Sequence, residues 1–293
     1  MNELKDRVAV ITGGASGIGL ATAQRFADEG MHLVLADIEA AALESAADAL
    51  RSKGVDVLVR RTDVMSEESV NALADAAFDH FGTVHIVFNN AGVAATAATL
   101  RSRAWEGSLA DWEWTMGVNF MGVLYGVRAF VPRMLANGDE GHIVNTASVA
   151  GLLTAANPYN VSKHGVVCLT EGMYLDFKEM DSPLSASVVC PGLINTKIME
   201  AERNRPSDLG RSADLTEQRP DVQQFATMFV AALKEGYGPE VVADHVVDGI
   251  RSDRFYILPS QEELLARVDQ RFQGLLDRRN PTPRDGRPLT SDR

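Results

Sequence analysis

Apolar residues in the first half of the chain follow two patterns that take turns. Short runs dense in aliphatic and β-branched residues predict strands, and longer stretches with apolar residues every three or four positions predict helices. Residues 7–11 form the first run, and 20–27 follow with helical spacing. Residues 31–37 are a second run, leading into an alanine-rich helix over 39–53 that Gly54 stops. Residues 55–59 predict a third strand, Ser66 caps a helix running to His80, and 84–88 predict a fourth strand that halts at Asn89. Strands that are apolar throughout, alternating strictly with helices, imply a parallel sheet covered on both faces.

The second half continues the alternation with two interruptions. Residues 93–109 are weakly patterned and read as a surface insertion carrying Arg101, Arg103 and Trp105. A long helix is predicted over 111–134, a fifth strand over 142–146, a helix over 159–178 and a sixth strand over 185–190, ended by Pro191 and Gly192. Residues 193–221 turn polar, with Arg203, Arg205, Pro206, Arg211 and Arg219, and a loop of that length inside an α/β domain is more often functional than idle. Helices over 222–234 and 239–252, a last strand over 254–258 and an amphipathic helix over 261–277 precede a tail rich in Arg and Pro. No repeat or linker divides the chain. The expectation is one domain over 1–258, with a substrate loop at 193–221, and a C-terminal helix and basic tail over 259–293.

Composition narrows the classes. The 293 residues are 45% apolar and 23% charged, enough for a full core without disulfides or metal. Lys plus Arg number 28 and Asp plus Glu 40, a net charge of −12, which argues against nucleic acid or an anionic membrane as the main partner. Cys168 and Cys190 both lie in apolar runs and read as buried thiols in a reducing compartment. With no secretory signal and no apolar run of membrane-spanning length, the expected location is the cytoplasm.

The chemistry is concentrated in a few places. Thr12-Gly13-Gly14-Ala15-Ser16-Gly17-Ile18-Gly19 joins the first strand to the first helix. Such a turn leaves the first helical amides unpaired and the positive end of the helix dipole facing an anion. Gly13 can supply the tight turn, Gly17 close approach to a pyrophosphate, and Gly19 close packing of helix on strand. Asp37 ends the second strand about 20 residues later, where a ribose diol would sit. Tyr159 and Lys163 lie four apart on a predicted helix, hence on one face, and a lysine there can lower a tyrosine's proton affinity. Ser148 falls just past the fifth strand, at the sheet edge where open α/β folds bind ligands. Taken singly, a surface helix pair and an exposed amide at Asn119 would be the bland alternatives. The six histidines show no ligand spacing, so no metal is expected.

Together, in this order and spacing, these features resemble the short-chain dehydrogenase/reductase family over about residues 7–258. Thr12-Gly13-x-x-x-Gly17-Ile18-Gly19 is similar to that family's cofactor turn, with Ser16 inside it. Asp63-Val64 resembles its adenine-pocket pair, and Asn89-Asn90-Ala91-Gly92 the motif that steadies the central sheet. Asn119, Ser148, Tyr159 and Lys163 fall where the family carries its catalytic tetrad. Pro191-Gly192-x-Ile194-x-Thr196 falls where it holds the nicotinamide. One departure is the spacing of 11 between Ser148 and Tyr159, a little shorter than usual, which demands a more compact path over 151–158.

The resemblance implies a doubly wound Rossmann fold with a seven-stranded parallel sheet and a C-terminal helical extension. It also implies a homodimer or homotetramer. The roles it implies are Tyr159 as base, Lys163 lowering its proton affinity and holding the nicotinamide ribose, Ser148 orienting the substrate oxygen, and Asn119 keeping a water. Asp37 favours NAD, because a 2′-phosphate would meet a carboxylate at a cost of about 4 kcal/mol, with no basic residue at Ser16 or Ile38 to relieve it. The expected reaction interconverts a hydrophobic secondary alcohol of steroid, terpenoid or aryl-alkanol size and its ketone, in the oxidative direction. The substrate walls are expected over 93–105, 149–157 and 193–221, which follow strand ends near the nicotinamide; residues 152, 153, 194, 198 and 199 suggest an apolar pocket, and the arginines at 203, 205 and 211 are either readers of a substrate carboxylate or solvated loop charge. The alternatives are an NADP-dependent carbonyl reductase, which Asp37 opposes, and a dinucleotide-binding protein without turnover, which would need no paired Tyr159 and Lys163.

Overall fold

The computed structural model describes residues 1–212 and 219–281. Strand and helix alternate as β1 (Val8–Thr12), α1 (Gly17–Asp28), β2 (His32–Asp37), α2 (Ala40–Arg51), β3 (Val57–Arg61), α3 (Glu67–Phe81) and β4 (Ile86–Asn89). Then come α4 (Leu109–Met116), α5 (Gly122–Asn137), β5 (Gly141–Thr146), α6 (Val149–Leu152), α7 (Pro158–Glu179) and β6 (Leu184–Val189). The chain continues through α8 (Pro220–Lys234), α9 (Pro239–Arg251), β7 (Tyr256–Ile257) and α10 (Glu262–Leu276). The seven strands form one parallel sheet in the order β3-β2-β1-β4-β5-β6-β7. The order reverses between β1 and β4, which opens a crevice at the C-terminal ends of those strands. Both faces are covered, as the unbroken apolar runs demand: all of β1 is buried, and Phe26, Leu33, Ile86 and Phe88 are fully enclosed.

Local chemistry sets the helix ends. The Ser69 amide donates to Ser66 Oγ at 3.1 Å to start α3, and Gly82 at φ 74° stops it. Asn157 caps α7 by accepting from the Asn160 amide at 2.9 Å, with Pro158 in the first turn.

Several expectations are corrected. β3 begins two residues later than the pattern suggests; Gly54 turns at φ 84°, and as an edge strand β3 tolerates Arg60 and Arg61. Residues 93–109 are not a surface insertion: Val93, Ala94, Ala95, Ala97, Ala98 and Thr99 are buried, and only the later part exposes Trp105 and Leu109. Alanines and threonines are too small to leave an apolar periodicity, so the buried wall they build was invisible. The predicted helix over 111–134 extends from Leu109 to Asn137 and contains a π-helical turn at Gly117–Met121. Cys168 is exposed, because α7 turns that position outward, while Cys190 is buried as expected. The last strand is reduced to two residues, and the short helix α6 went unpredicted. Residues 213–218 of the substrate loop, and the tail beyond 281, lie outside the described residues.

Candidate active site

The crevice holds a cavity of about 690 Å³ at the C-terminal ends of β1, β4, β5 and β6. Its first end is built by the turn after β1. Gly13 and Gly17 have φ of 67° and 54°, and a Cβ on Gly19 would stand 2.1 Å from the Gly13 carbonyl oxygen, so the turn closes only with glycine. The N-termini of α3, α4, α6 and α7 are each capped by a side chain, from Ser66, Ser108, Ser148 and Asn157. The N-terminus of α1 has no such cap and no acidic residue in its first turn. It lies at the cavity wall with Ser16, Gly17 and Ile18, so a bound anion there meets unpaired amides and a favourable dipole.

Asp37 bounds the same end. It accepts from the amides of Ala15 at 3.1 Å and Glu39 at 3.0 Å; burial raises its carboxyl above the ordinary value and these amides act against the rise. The sequence neighbours of Asp37 carry no base, but two arginines approach in space. Arg61, opposite Asp37 in the β2–β3 register, donates to the Ile38 carbonyl at 3.2 Å, and Arg203 donates to Glu39 at 2.6 Å. Arg203 is therefore matched by a carboxylate rather than free to neutralise a phosphate. Asp63 and Val64 line the cavity beyond, with Asp63 Oδ1 held by the Met65 amide at 2.9 Å.

The middle is a set of polar ties. Asn90 donates its amide N–H to Thr12 Oγ1 at 3.0 Å and its side chain to the Thr12 carbonyl at 3.1 Å, and Ala91 N–H joins at 3.1 Å. Asn89 donates to Asn145, which donates to Thr170, so β4, β5 and α7 are linked by buried amides. Asn119, in the π-helical turn, brackets Val93 from both sides: it accepts from the Val93 amide at 2.8 Å and donates to the Val93 carbonyl at 2.9 Å. Its side chain is thus a clamp on the strand-end loop and stands behind the cavity wall.

At the far end Ser148, Tyr159 and Lys163 converge. Lys163 is buried, donates to the Thr146 carbonyl at 2.8 Å and lies 5.9 Å from the Tyr159 ring centre. Burial lowers Lys163 to about 8. Burial raises the Tyr159 phenol, and hydrogen bonding with Ser148 opposes the rise. The short Ser148–Tyr159 spacing is met by α6, which packs on α7 so closely that a Cβ on Gly151 would stand 2.7 Å from the Lys163 carbonyl. Asn160 and His164 bind the Ala150 and Gly151 carbonyls to hold that contact. Pro191, Gly192, Ile194 and Thr196 also line the cavity, with Thr196 reaching the glycine turn, 3.3 Å from where a Cβ on Gly17 would stand.

Every predicted site residue lines the one cavity except Gly19 and Asn119, which support it from behind. Of the apolar candidates, Leu153, Ile194, Ile198 and Met199 line it, while Leu152 belongs to the core instead. Arg203 lines the cavity paired with Glu39, and Arg205, enclosed over Trp114, binds Asp111 at 2.7 Å. Arg211 is exposed. Leu100 and Arg101 fall within the expected wall over 93–105, whereas Trp114, Phe225, Phe229, Leu264 and Arg267 were missed. The amphipathic stripe of the final helix was the only available hint, since these missed residues meet from three separate helices.

The sequence pattern of the family described as short chain dehydrogenase matches residues 7–207. The chain belongs to this family. Within the short-chain dehydrogenases it is 34% identical over 267 residues to a "CLA biosynthesis dehydrogenase/reductase" of Lactiplantibacillus plantarum, covering 89% of this chain and 91% of the relative. It is also 34% identical over 216 residues to a cyclohexanol dehydrogenase of an Acinetobacter species, covering 72% and 83%. Among solved structures, a short chain dehydrogenase/reductase from Burkholderia phymatum in complex with NAD superposes with a TM-score of 0.89 at 43% identity, covering 99% of this chain and all of that one.

Proposed function

We propose that this short-chain dehydrogenase oxidises a hydrophobic secondary alcohol to its ketone with NAD as cofactor. The observation that carries the reading is the convergence of Ser148, Tyr159 and Lys163 in the same cavity as an uncapped helix N-terminus and Asp37. The residues fit the cofactor: a glycine turn that a Cβ would close, unpaired amides for the pyrophosphate, and Asp37 for the adenosine ribose. Asp63 and Val64 would flank the adenine, and Asn90, Ala91, Gly92, Tyr159, Lys163, Pro191, Gly192, Ile194 and Thr196 would surround the nicotinamide half. The NAD in the Burkholderia relative supports the same choice.

When bound in oxidised form, NAD supplies a hydride acceptor and a positively charged ring. The chain's own residues handle the proton. In the free protein the Tyr159 phenol is shifted upward and so stays neutral at neutral pH; nearby positive charge is what makes it a base. Lys163 is the resident source of that charge, one helical turn away and shielded from water. Once its own proton has left for solvent, Tyr159 as phenolate takes the alcohol proton, with Ser148 holding the substrate oxygen beside it. Asn119 keeps Val93 and the cavity wall in place. Leu100, Leu153, Phe225, Phe229 and Leu264 exclude water and suit an apolar skeleton, in keeping with the cyclohexanol named for the Acinetobacter relative.

The free cysteines agree with a cytoplasmic setting, and no helix among the described residues is long and apolar enough to cross a membrane. Val161, Leu175 and Met180, exposed on or just after α7, suit packing against further copies in a homodimer or homotetramer. Paired fluorescence titrations with NADH and NADPH, followed by turnover of secondary alcohols with NAD⁺, test the reading. Tight NADH binding with little for NADPH is expected, and preference for NADPH gives the lead to a carbonyl reductase.

A further inference from the structure

The substrate end of the cavity is apolar but not neutral. Arg101 and Arg267 line it together with Leu100, Phe225 and Leu264. Arg101 ends the 3-10 turn Thr99–Arg101, and Asn157, the cap of α7, donates to the Leu100 carbonyl at 2.8 Å. Tyr159 sits in the first turn of that helix, so Arg101 is fixed at the substrate end rather than the adenosine end. Its guanidinium carbon lies 5.6 Å from the Phe225 ring centre. Arg267 follows Leu264 by one turn on α10. Arg271 on the same helix donates to the Leu152 carbonyl at 2.7 Å, which docks α10 against the segment after Ser148.

Among the described residues, the acids near Arg101 are already engaged. Glu106 binds Arg103 and Arg219, and Asp221 binds Arg219, so these two cations and two anions balance. Glu263 stands one turn before Arg267, yet among the described residues neither Arg101 nor Arg267 enters an ion pair. A guanidinium stays charged at any working pH, and its planar fork matches a carboxylate. Arg101 is half-buried and Arg267 exposed, so both guanidiniums can meet an anionic group of a molecule that enters the cavity.

We propose that the favoured substrate is an apolar secondary alcohol carrying a carboxylate remote from the carbinol, with Arg101 and Arg267 receiving the carboxylate. This rests on the dehydrogenase reading above and adds the class of substrate. The test is a competition of charge at constant skeleton: decanoate and methyl decanoate are titrated into the enzyme·NADH complex, read by the fluorescence of bound NADH. Decanoate is expected to bind at least about tenfold tighter. Arg101→Gln and Arg267→Gln each narrow the ratio and the double variant removes it, while Arg103→Gln, outside the cavity, preserves it. A ratio near unity in the wild type, or one that survives in the double variant, overturns the proposal. Kinetics with inner-chain hydroxydecanoates and their methyl esters separate it from the reaction assignment. Oxidation of acid and ester with equal kcat/KM overturns the carboxylate site alone. A binding preference without turnover of either alcohol supports the site and removes the reaction.

Discussion

Tyr159 and Lys163 pull each other's protonation in a direction that burial opposes. Desolvation raises the phenol and lowers the ammonium to about 8, so the free protein holds both groups closer to neutral than water would. Among the described residues, the hydroxyl is engaged only by Ser148 and the amine only by the Thr146 carbonyl. Replacing Tyr159 with Phe keeps the ring and removes only the proton acceptor. Turnover is expected to fall by about 10²–10⁴ with NADH affinity unchanged; full kcat in Tyr159→Phe, measured with any alcohol the wild type oxidises, would remove Tyr159 from the chemistry. This scale was the most legible in the sequence, because Gly13, Asp37, Ser148, Tyr159 and Lys163 belong to short local patterns. Arg203 against Glu39 and Arg205 against Asp111 were not, since each pair joins residues far apart in the chain.

At the scale of elements, the site depends on how α6 seats against α7. A Cβ on Gly151 would meet the Lys163 carbonyl carbon and oxygen at 2.7 Å and the His164 nitrogen at 3.0 Å, all backbone atoms that cannot swing aside. Gly151→Ala must therefore lift α6 and carry Ser148 away from Tyr159. The expected result is a loss of about 1–3 kcal/mol in stability and at least about tenfold in kcat, with NADH binding retained. Gly172→Ala, on α7, is the control: nothing lies within 4 Å of its Cβ, so it should stabilise α7 by up to about 1 kcal/mol. Urea melts and steady-state rates on the two variants check both statements, and a silent Gly151→Ala would show that the contact can relax. The strands and long helices were legible because burial on two faces leaves dense apolar runs. The substrate end was legible only in outline, as the segments 93–105 and 149–157 that follow strand ends: the small buried residues over 93–99 and the short helix α6 have too little periodicity to read as elements, and Phe225 and Arg267 join Arg101 only once α8 and α10 have docked.

For the molecule as a whole, the centre of the sheet sets a limit on acid stability. His142 in β5 is 1% exposed, and its Nε2 lies 2.7 Å from Ser187 Oγ. Ser187 spends its own hydrogen on the Arg254 carbonyl at 2.7 Å, so His142 Nε2 must be the donor and Nδ1 carries no proton. Protonating Nδ1 would place a cation between strands, and burial pushes His142 down to about 4, with Asp253 opposing and the chain N-terminus and Lys178 adding to the fall. The unfolded chain, with an ordinary histidine near 6.5, binds more protons than the folded one between those two values. Stability from this group is complete above about pH 6.5 and drains away as the pH falls towards 4, amounting to about 2 kcal/mol between pH 7 and pH 5. His85, just before the neighbouring strand β4, is lowered in the same direction by burial and Arg7, so the wild-type slope carries both residues. Comparing the wild type with His142→Gln isolates one of them: the variant should start less stable at pH 7, having lost a fitted buried donor, and lose less on acidification. Equal acid losses in urea titrations at pH 7 and pH 5 would mean that His142 is protonated alike in both states, and that the sheet centre takes no part in the acid limit.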